Sequence, residues 1–119
     1  MYSKIIFQGR LINESDVEIN LKYKEDGSTP LYLAAFHGHI EIVKLLLETP
    51  RIQVNLQNKS GCTPLHAAAL FNHVEVIKIL LSDPRTDVNA KSNLGKTALD
   101  IAQQFGHDLS VHIIKHIVD

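Results

Sequence analysis

The feature that most constrains this chain is a block of sequence that returns three times at a fixed spacing. Gly27, Gly61 and Gly95 lie 34 residues apart, and each begins a similar stretch. Four further positions keep this step: Thr29, Thr63 and Thr97; Leu31, Leu65 and Leu99; Ala34, Ala68 and Ala102; and His39, His73 and His107. Such regular spacing is typical of a repeat protein, in which one small structural unit stacks on the next.

Each copy predicts a turn, a short helix, a second turn and a second helix. Glycine at the first position permits the positive φ that a tight turn requires. Threonine then suits the N-cap, and proline suits the first helical position. The first helix is predicted to end at Gly38, Asn72 and Gly106, residue types that tolerate a left-handed backbone. Pro50 and Pro84 are predicted to stop the second helices.

The composition favours a single core shared by stacked units. The chain has 119 residues, is 45% hydrophobic and has no tryptophan, so leucine, isoleucine, valine and alanine must fill the interior. One helix pair cannot bury its own apolar side, whereas stacked pairs form a continuous core. Alanine pairs at residues 34–35 and 68–69 allow neighbouring first helices to approach closely.

The second copy carries the most specific motif. It reads Thr-Pro-Leu-His at residues 63–66, Ala-Ala at 68–69 and Asn-His-Val-Glu-Val at 72–76. This motif resembles an ankyrin repeat nearly position for position. The resemblance covers residues 24–119 and implies an all-α solenoid of stacked helix-turn-helix units with β-hairpin-like turn tips. It also implies that His66 joins a hydrogen-bond network between units. Tyr32 and Asp100 replace this histidine in the other copies, so the network is expected to be incomplete at both ends.

We predict one ankyrin-repeat domain with an N-terminal cap and three units. The predicted boundaries are a degenerate cap at 1–23, repeat 1 at 24–57, repeat 2 at 58–91 and a C-terminal capping repeat at 92–119. Residues 7–11 resemble residues 37–40, but too few residues follow for a full second helix. In the last unit Asp108, Ser110 and Lys115 replace apolar residues, as a polar outer side requires. The alternative is that the chain was cut from a larger protein.

Charge and cysteine content narrow the classes of partner and compartment. Lys plus Arg number 12 and Asp plus Glu number 13, so neither nucleic acid nor a membrane is an expected partner. The apolar runs are too short for a signal peptide or a membrane span. The lone cysteine, Cys62, suits a reducing compartment. We expect an intracellular protein, cytoplasmic or nuclear, that is monomeric when free.

Seven histidines and one cysteine give little support for catalysis or metal binding. His112 and His116 are four residues apart, but no third ligand of suitable type is near in sequence. Cys62 and His66 would be the components of a nucleophile pair, yet nothing marks an orienting third residue or an oxyanion pocket. We therefore predict no enzyme activity, no cofactor and no metal site.

The resemblance implies a partner-binding surface on the turn tips and on the exposed side of the first helices. The residues at these positions are Glu25, Asp26, Ser28, Phe36 and His37; Lys59, Ser60, Cys62, Leu70 and Phe71; and Asn93, Leu94, Lys96, Gln104 and Phe105. Exposed aromatic rings are frequent anchors for protein partners. The alternative is that Phe36 and Phe71 fold over the helices and extend the core.

The function implied by the resemblance is that of a non-enzymatic protein–protein interaction module. It would be an adaptor, scaffold or inhibitor that binds another protein through its concave face. Three alternatives stay open: a regulatory or targeting ankyrin segment of a larger enzyme or channel, a pathogen effector that binds host proteins, and a structural spacer. Residues 81–89 also resemble the ankyrin segment recognised by an asparaginyl hydroxylase, which would modify Asn89. The simpler alternative is that Asn55 and Asn89 hydrogen-bond the turns.

Overall fold

The computed structural model describes residues 4–7, 10–13 and 19–118. Its helices follow one another in pairs that match the repeats. The pairs are α1 (Pro30–Phe36) with α2 (Ile40–Glu48), α3 (Pro64–Leu70) with α4 (Val74–Ser82), and α5 (Ala98–Gln104) with α6 (Asp108–Val118). Helices α1, α3 and α5 pack as one layer, and α2, α4 and α6 pack as a second layer behind it. The predicted helical solenoid is confirmed.

The N-terminal segment contains a β-hairpin within the region predicted as a degenerate cap. Strand β1 (Lys4–Phe7) pairs antiparallel with β2 (Arg10–Asn13), with Ile6 opposite Leu11. Strand β1 also contacts α2. The apolar, β-branched residues of β1 favour an extended strand over a helix. The rest of residues 1–18 of the predicted cap lies outside the described residues.

Each first helix begins at a threonine N-cap, as the sequence predicts. Thr29, Thr63 and Thr97 have an extended backbone, and each hydroxyl oxygen accepts a hydrogen bond from the N–H three residues later. Pro30 and Pro64 occupy the first helical position, where the missing N–H has no intrahelical partner to lose. The local sequence therefore sets the start of each helix.

The turns after the first helices require a left-handed backbone. Gly38 and Gly106 adopt φ of 71° and 69°, and Asn72 adopts φ of 57° at the equivalent place. Asparagine tolerates this region better than most residues. The Asn72 Oδ1 also accepts a 2.6 Å hydrogen bond from the Ser110 hydroxyl. Ser110 is fully buried at this joint. The prediction that it lies on a polar outer side is therefore wrong, although Lys115 is exposed.

The core runs between the two helical layers and along the stack. Its largest fully buried apolar side chains include Leu31, Leu46, Ile77, Leu80 and Ile114. Where the first helices meet, Ala35, Ala68 and Ala69 are fully buried. Their small side chains let the helix backbones approach, as the alanine pairs predict.

The turn tips are closed loops that are joined to their neighbours. Backbone hydrogen bonds across each turn give the hairpin-like tips that the resemblance implies. Between tips, the Lys59 N–H donates to the Asp26 carbonyl at 2.9 Å. The Asn93 N–H donates to the Ser60 carbonyl at 3.0 Å in the same way. The three tips thus form one connected edge.

Two asparagines clamp successive units at the connectors that follow the second helices. The Asn20 amide accepts from one backbone N–H and donates to one carbonyl within residues 51–53, both at 2.8 Å. Asn55 repeats this arrangement with the Asp87 N–H and the Arg85 carbonyl, again at 2.8 Å. Asn55 therefore lies in the connector of one repeat and hydrogen-bonds the connector of the next repeat.

Candidate functional site

A cleft opens between the second and third turn tips, beside helices α3 and α5. Its volume is about 660 Å³, which is within the range of ligand-binding clefts. Nine of the predicted contact residues line it: Lys59, Ser60, Cys62, Leu70, Asn93, Leu94, Lys96, Gln104 and Phe105. The structure thus brings together most of the contact residues predicted in the second and third copies.

Ser92 and Ile101 also line the cleft, although the repeat pattern does not single them out. Ile101 stands at the position held by Leu33 and Ala67 in the other copies. Ala67 is buried, whereas the larger Ile101 is half-buried and reaches the cleft. The Ser92 Oγ accepts hydrogen bonds from two backbone N–H groups of the third tip, both at 3.3 Å. Comparison of side-chain size across the copies is the signal that points to Ile101.

The predicted contact residues of the first copy lie outside this cleft. Glu25, Asp26 and His37 are exposed, and Phe36 is half-buried. Ser28 is 0% exposed, so the prediction that it contacts a partner does not agree with this structure. Its N–H donates to Asp26 Oδ1 at 2.9 Å, and this hydrogen bond closes the tip over the residue.

The aromatic side chains at the ends of α1 and α3 form a pair. The ring centroids of Phe36 and Phe71 are 4.6 Å apart, with an interplanar angle of 65°. Phe36 also lies 6.1 Å from the Tyr32 ring. Phe71 is 46% exposed and Phe105 is 52% exposed. Phe36 packs against neighbouring rings, whereas Phe71 keeps much of its ring in solvent, and partner binding by these rings stays a prediction.

Positive charge lies at the rim of the cleft. Lys59 and Lys96 are both exposed, and the Lys59 Nζ donates a hydrogen bond to the Lys24 carbonyl. The described residues that line the cleft include no carboxylate. Asp26 lies in the neighbouring tip, where the hydrogen bond from the Ser28 N–H holds its pKa below the usual value.

The Cys62 side chain lines the cleft, and its surroundings do not activate the thiol as a nucleophile. Burial raises the pKa of this thiol, which keeps it protonated and weakly nucleophilic at neutral pH. The His66 ring is engaged elsewhere, since Nδ1 contacts Thr63 and Nε2 contacts the Lys96 carbonyl. The arrangement fits a contact surface better than a thiol–imidazole pair.

His66 links the start of α3 to the third turn tip. The Thr63 N–H donates to Nδ1 at 3.0 Å, so Nε2 carries the proton and donates to the Lys96 carbonyl at 2.8 Å. Burial lowers the pKa of His66 because it disfavours the charged ring. In the first copy Tyr32 stands at the equivalent position, and burial raises the pKa of its hydroxyl.

His112 and His116 meet on α6, with ring centroids 4.2 Å apart. Two imidazoles fall short of the ligand number of a protein zinc site. Among the described residues, no three His, Cys, Asp or Glu side chains cluster closely enough to hold a metal ion. None of the helices in the described chain has both the length and the apolar character needed to cross a membrane.

Asn89 lies exposed on the connector after α4. Its backbone N–H donates to Asp87 Oδ1 at 2.9 Å, and its side-chain amide makes no hydrogen bond to the described residues. Asn55, one repeat earlier, is half-buried and holds the next unit through its amide. The two equivalent asparagines thus differ in accessibility.

Comparison with known protein families gives a match to ankyrin repeats, described as three copies, over residues 6–92 and 51–118. A comparison with curated proteins gives no match. The matched ranges include the helix pairs, the threonine caps and the turn tips described above. Since they cover nearly the whole sequence, the chain belongs to the ankyrin repeat family.

Proposed function

We propose that this chain is a non-enzymatic interaction module that binds a partner protein through the concave face formed by its turn tips and first helices. Ankyrin repeats generally serve in protein–protein interaction. The observation that carries the proposal is the cleft of about 660 Å³, which is lined by residues predicted as partner contacts in two neighbouring repeats.

Exposed apolar side chains on this face would favour binding of a partner. Leu94 is 86% exposed, and Phe71 and Phe105 are about half exposed. Transfer of such side chains from water into an interface is favourable, and clusters of them mark interaction sites. Aromatic anchors often contribute a large share of the binding free energy in protein interfaces.

The face is also ordered before a partner arrives. Backbone hydrogen bonds join the first tip to the second and the second tip to the third. A surface that is already ordered loses less conformational entropy on association. The tips therefore support recognition by a preformed edge.

Several cellular roles would make use of this concave face. Adaptor, scaffold and inhibitor roles would all use this face. So would a regulatory or targeting segment of a larger enzyme or channel, or an effector that binds host proteins. We propose an intracellular location, cytoplasmic or nuclear, in keeping with the free thiol of Cys62. We also propose that the free protein is a monomer.

Affinity capture from native lysate tests the proposal. The unaltered protein is expected to retain a partner that Phe71→Ser, the double variant Phe36→Ser/Phe71→Ser and Phe105→Ser lose, and of these residues Phe105 lines the cleft. Leu45→Ser is the matched control, because Leu45 is 36% exposed on α2, in the other helical layer. Thermal unfolding of each variant identifies loss of fold. Partner retention by all three folded variants, or no specific partner for the unaltered protein, contradicts the proposal.

We propose Asn89 as the hydroxylated residue if the chain meets an asparaginyl hydroxylase. Its exposed and unclamped amide favours it over Asn55. Intact-mass analysis of protein from its native cell is expected to show the added mass of one oxygen atom, which Asn89→Ala removes. An unmodified native protein, or oxygen on another residue, excludes this assignment.

A further inference from the structure

We infer that the cleft between the second and third turn tips takes an extended peptide segment of a partner that places a large apolar side chain beside acidic residues. This inference rests on the proposed function, since it names the chemistry of the partner that the concave face binds. It is carried by the apolar side chains of the cleft together with the charge at its rim.

The apolar part of the cleft comes from both repeats. Leu70 at the end of α3 and Ile101 on α5 are half-buried, while Phe105 at the end of α5 is about half exposed. Leu94 adds a nearly fully exposed side chain from the third tip. A cleft of about 660 Å³ has room for at least one large apolar side chain of a peptide. An apolar anchor would therefore bury surface from two tips and two helices at once.

The charge at the rim has a single sign. Lys59 and Lys96 line the cleft from the second and third tips, and the cleft-lining part of the described chain has no carboxylate. Lys59 is oriented by its hydrogen bond to the Lys24 carbonyl, which uses only one of the three donors of an ammonium group. Both lysines can thus attract a carboxylate while the apolar side chain is seated.

Selection from a displayed library of random peptides tests the inference with the whole chain as bait. The selected peptides are expected to be enriched in aspartate and glutamate next to leucine, isoleucine or phenylalanine. A selected peptide is then synthesised with a fluorescent label, and its affinity is measured by polarisation. Its binding is expected to weaken as salt is raised, because the attraction between exposed charges is screened.

Charge reversal locates the binding. Lys59→Glu/Lys96→Glu is expected to weaken binding of the labelled peptide by about 10-fold or more. The matched control is Lys44→Glu/Lys78→Glu, which makes the same change in net charge on α2 and α4 of the other layer. Both control lysines are exposed, and within the described part of the chain Lys44 pairs with Glu41 and Lys78 with Glu75 on their own helices. The control is expected to change the affinity by less than about 2-fold.

Three outcomes overturn the inference. They are selection of no peptides, selection of peptides without acidic enrichment, and equal weakening by the cleft pair and the control pair. If peptides of another composition are selected and lose binding on Phe71→Ser, the concave face still binds a partner and only its chemistry is wrong. If neither a peptide nor a cellular protein binds, the proposed function fails as well.

Discussion

Residues that lie between two neighbouring repeats make different contacts from the equivalent residues of the third repeat. At the inner joints, Gly61 faces the third tip, His66 reaches the Lys96 carbonyl, and Asn55 clamps the next connector. One repeat later, none of the described residues lies within 4 Å of a Cβ placed on Gly95, and the Asp100 carboxylate accepts a hydrogen bond from the Thr97 N–H at the start of its own helix.

The repeated residues therefore have two roles in this fold. A local purpose, such as capping a helix or closing a turn, is fulfilled in every copy. A second purpose, which is to hold the next repeat, is fulfilled only where another described repeat follows. Substitutions at equivalent positions should therefore lower the free energy of unfolding by unequal amounts. The difference between the two amounts measures how much the contacts between neighbouring repeats contribute to stability.

The largest difference is expected at the tip glycines. Gly61→Ala and Gly95→Ala both place alanine at positive φ, 77° and 76°, which costs about 1–2 kcal/mol. The Cβ at residue 61 would also lie 2.6 Å from the Asn93 backbone nitrogen, so that variant should lose about 4 kcal/mol in total. Urea unfolding followed by circular dichroism measures both losses. Equal losses would show that the tips do not press on one another.

The next largest difference is expected at the position on the first helix that holds His66 in one copy and Asp100 in the next. His66→Ala leaves the buried Thr63 N–H and the Lys96 carbonyl without a partner and opens a cavity, at a cost of about 3 kcal/mol. Asp100→Ala removes only a helix-start contact and should cost about 1 kcal/mol. The same urea experiment compares the two variants, and a larger loss for Asp100→Ala would contradict the bridging role of His66.

Protonation of His66 should make the free energy of unfolding depend on pH. Burial lowers its pKa in the folded protein below the ordinary value of 6.5, so the unfolded chain takes up the proton first as the pH falls. The stabilisation is complete above pH 6.5 and declines as the pH drops towards the folded pKa, by up to about 1.4 kcal/mol per pH unit. Urea unfolding across this range measures the slope.

The control for this slope is His66→Gln, which keeps every other histidine. Contributions from those histidines are present in both proteins and cancel in the comparison. The variant should show a shallower decline in unfolding free energy at acid pH. Identical slopes would mean that His66 is protonated equally well in the folded and unfolded chains.

The smallest difference is expected at the connector asparagines. Asn55→Ala removes two 2.8 Å hydrogen bonds to the next unit and should cost about 1 kcal/mol. Asn89→Ala alters an exposed amide without a described partner and should stay within about 0.5 kcal/mol. Thermal unfolding of the two variants at the same pH shows the difference, which disappears if the clamp of Asn55 contributes nothing.

Much of the fold could be predicted because its signals are local. A threonine cap, a proline at the first helical position and a glycine or asparagine after the helix each act within a few residues. Thr63, Pro64 and Asn72 therefore mark the limits of α3 in the sequence as they do in the structure. The N-terminal hairpin was harder to predict, because a few residues that resemble a helix end do not fix the structure of a strand pair.

The repeat pattern predicts which positions of the sequence lie near the candidate site, but it does not predict how exposed each side chain is. Equivalent positions placed Cys62 and Lys96 at the cleft, whereas Ser28 in the first copy is buried. Ser110 replaces an apolar residue and yet lies inside a joint, since it finds Asn72 as a hydrogen-bond partner. Such outcomes depend on which side chains a neighbouring repeat brings close, and one copy of the pattern does not contain that information.

The hydrogen bonds of His66 also bear on how the stack comes apart. One ring nitrogen holds the first turn of α3, and the other holds the tip of the following repeat. Loss of the turn therefore releases the tip, and detachment of the tip frees the ring that orders the turn. Repeats 2 and 3 should consequently melt in a single transition, because a state with one formed and the other open loses the hydrogen bond between His66 Nε2 and the Lys96 carbonyl.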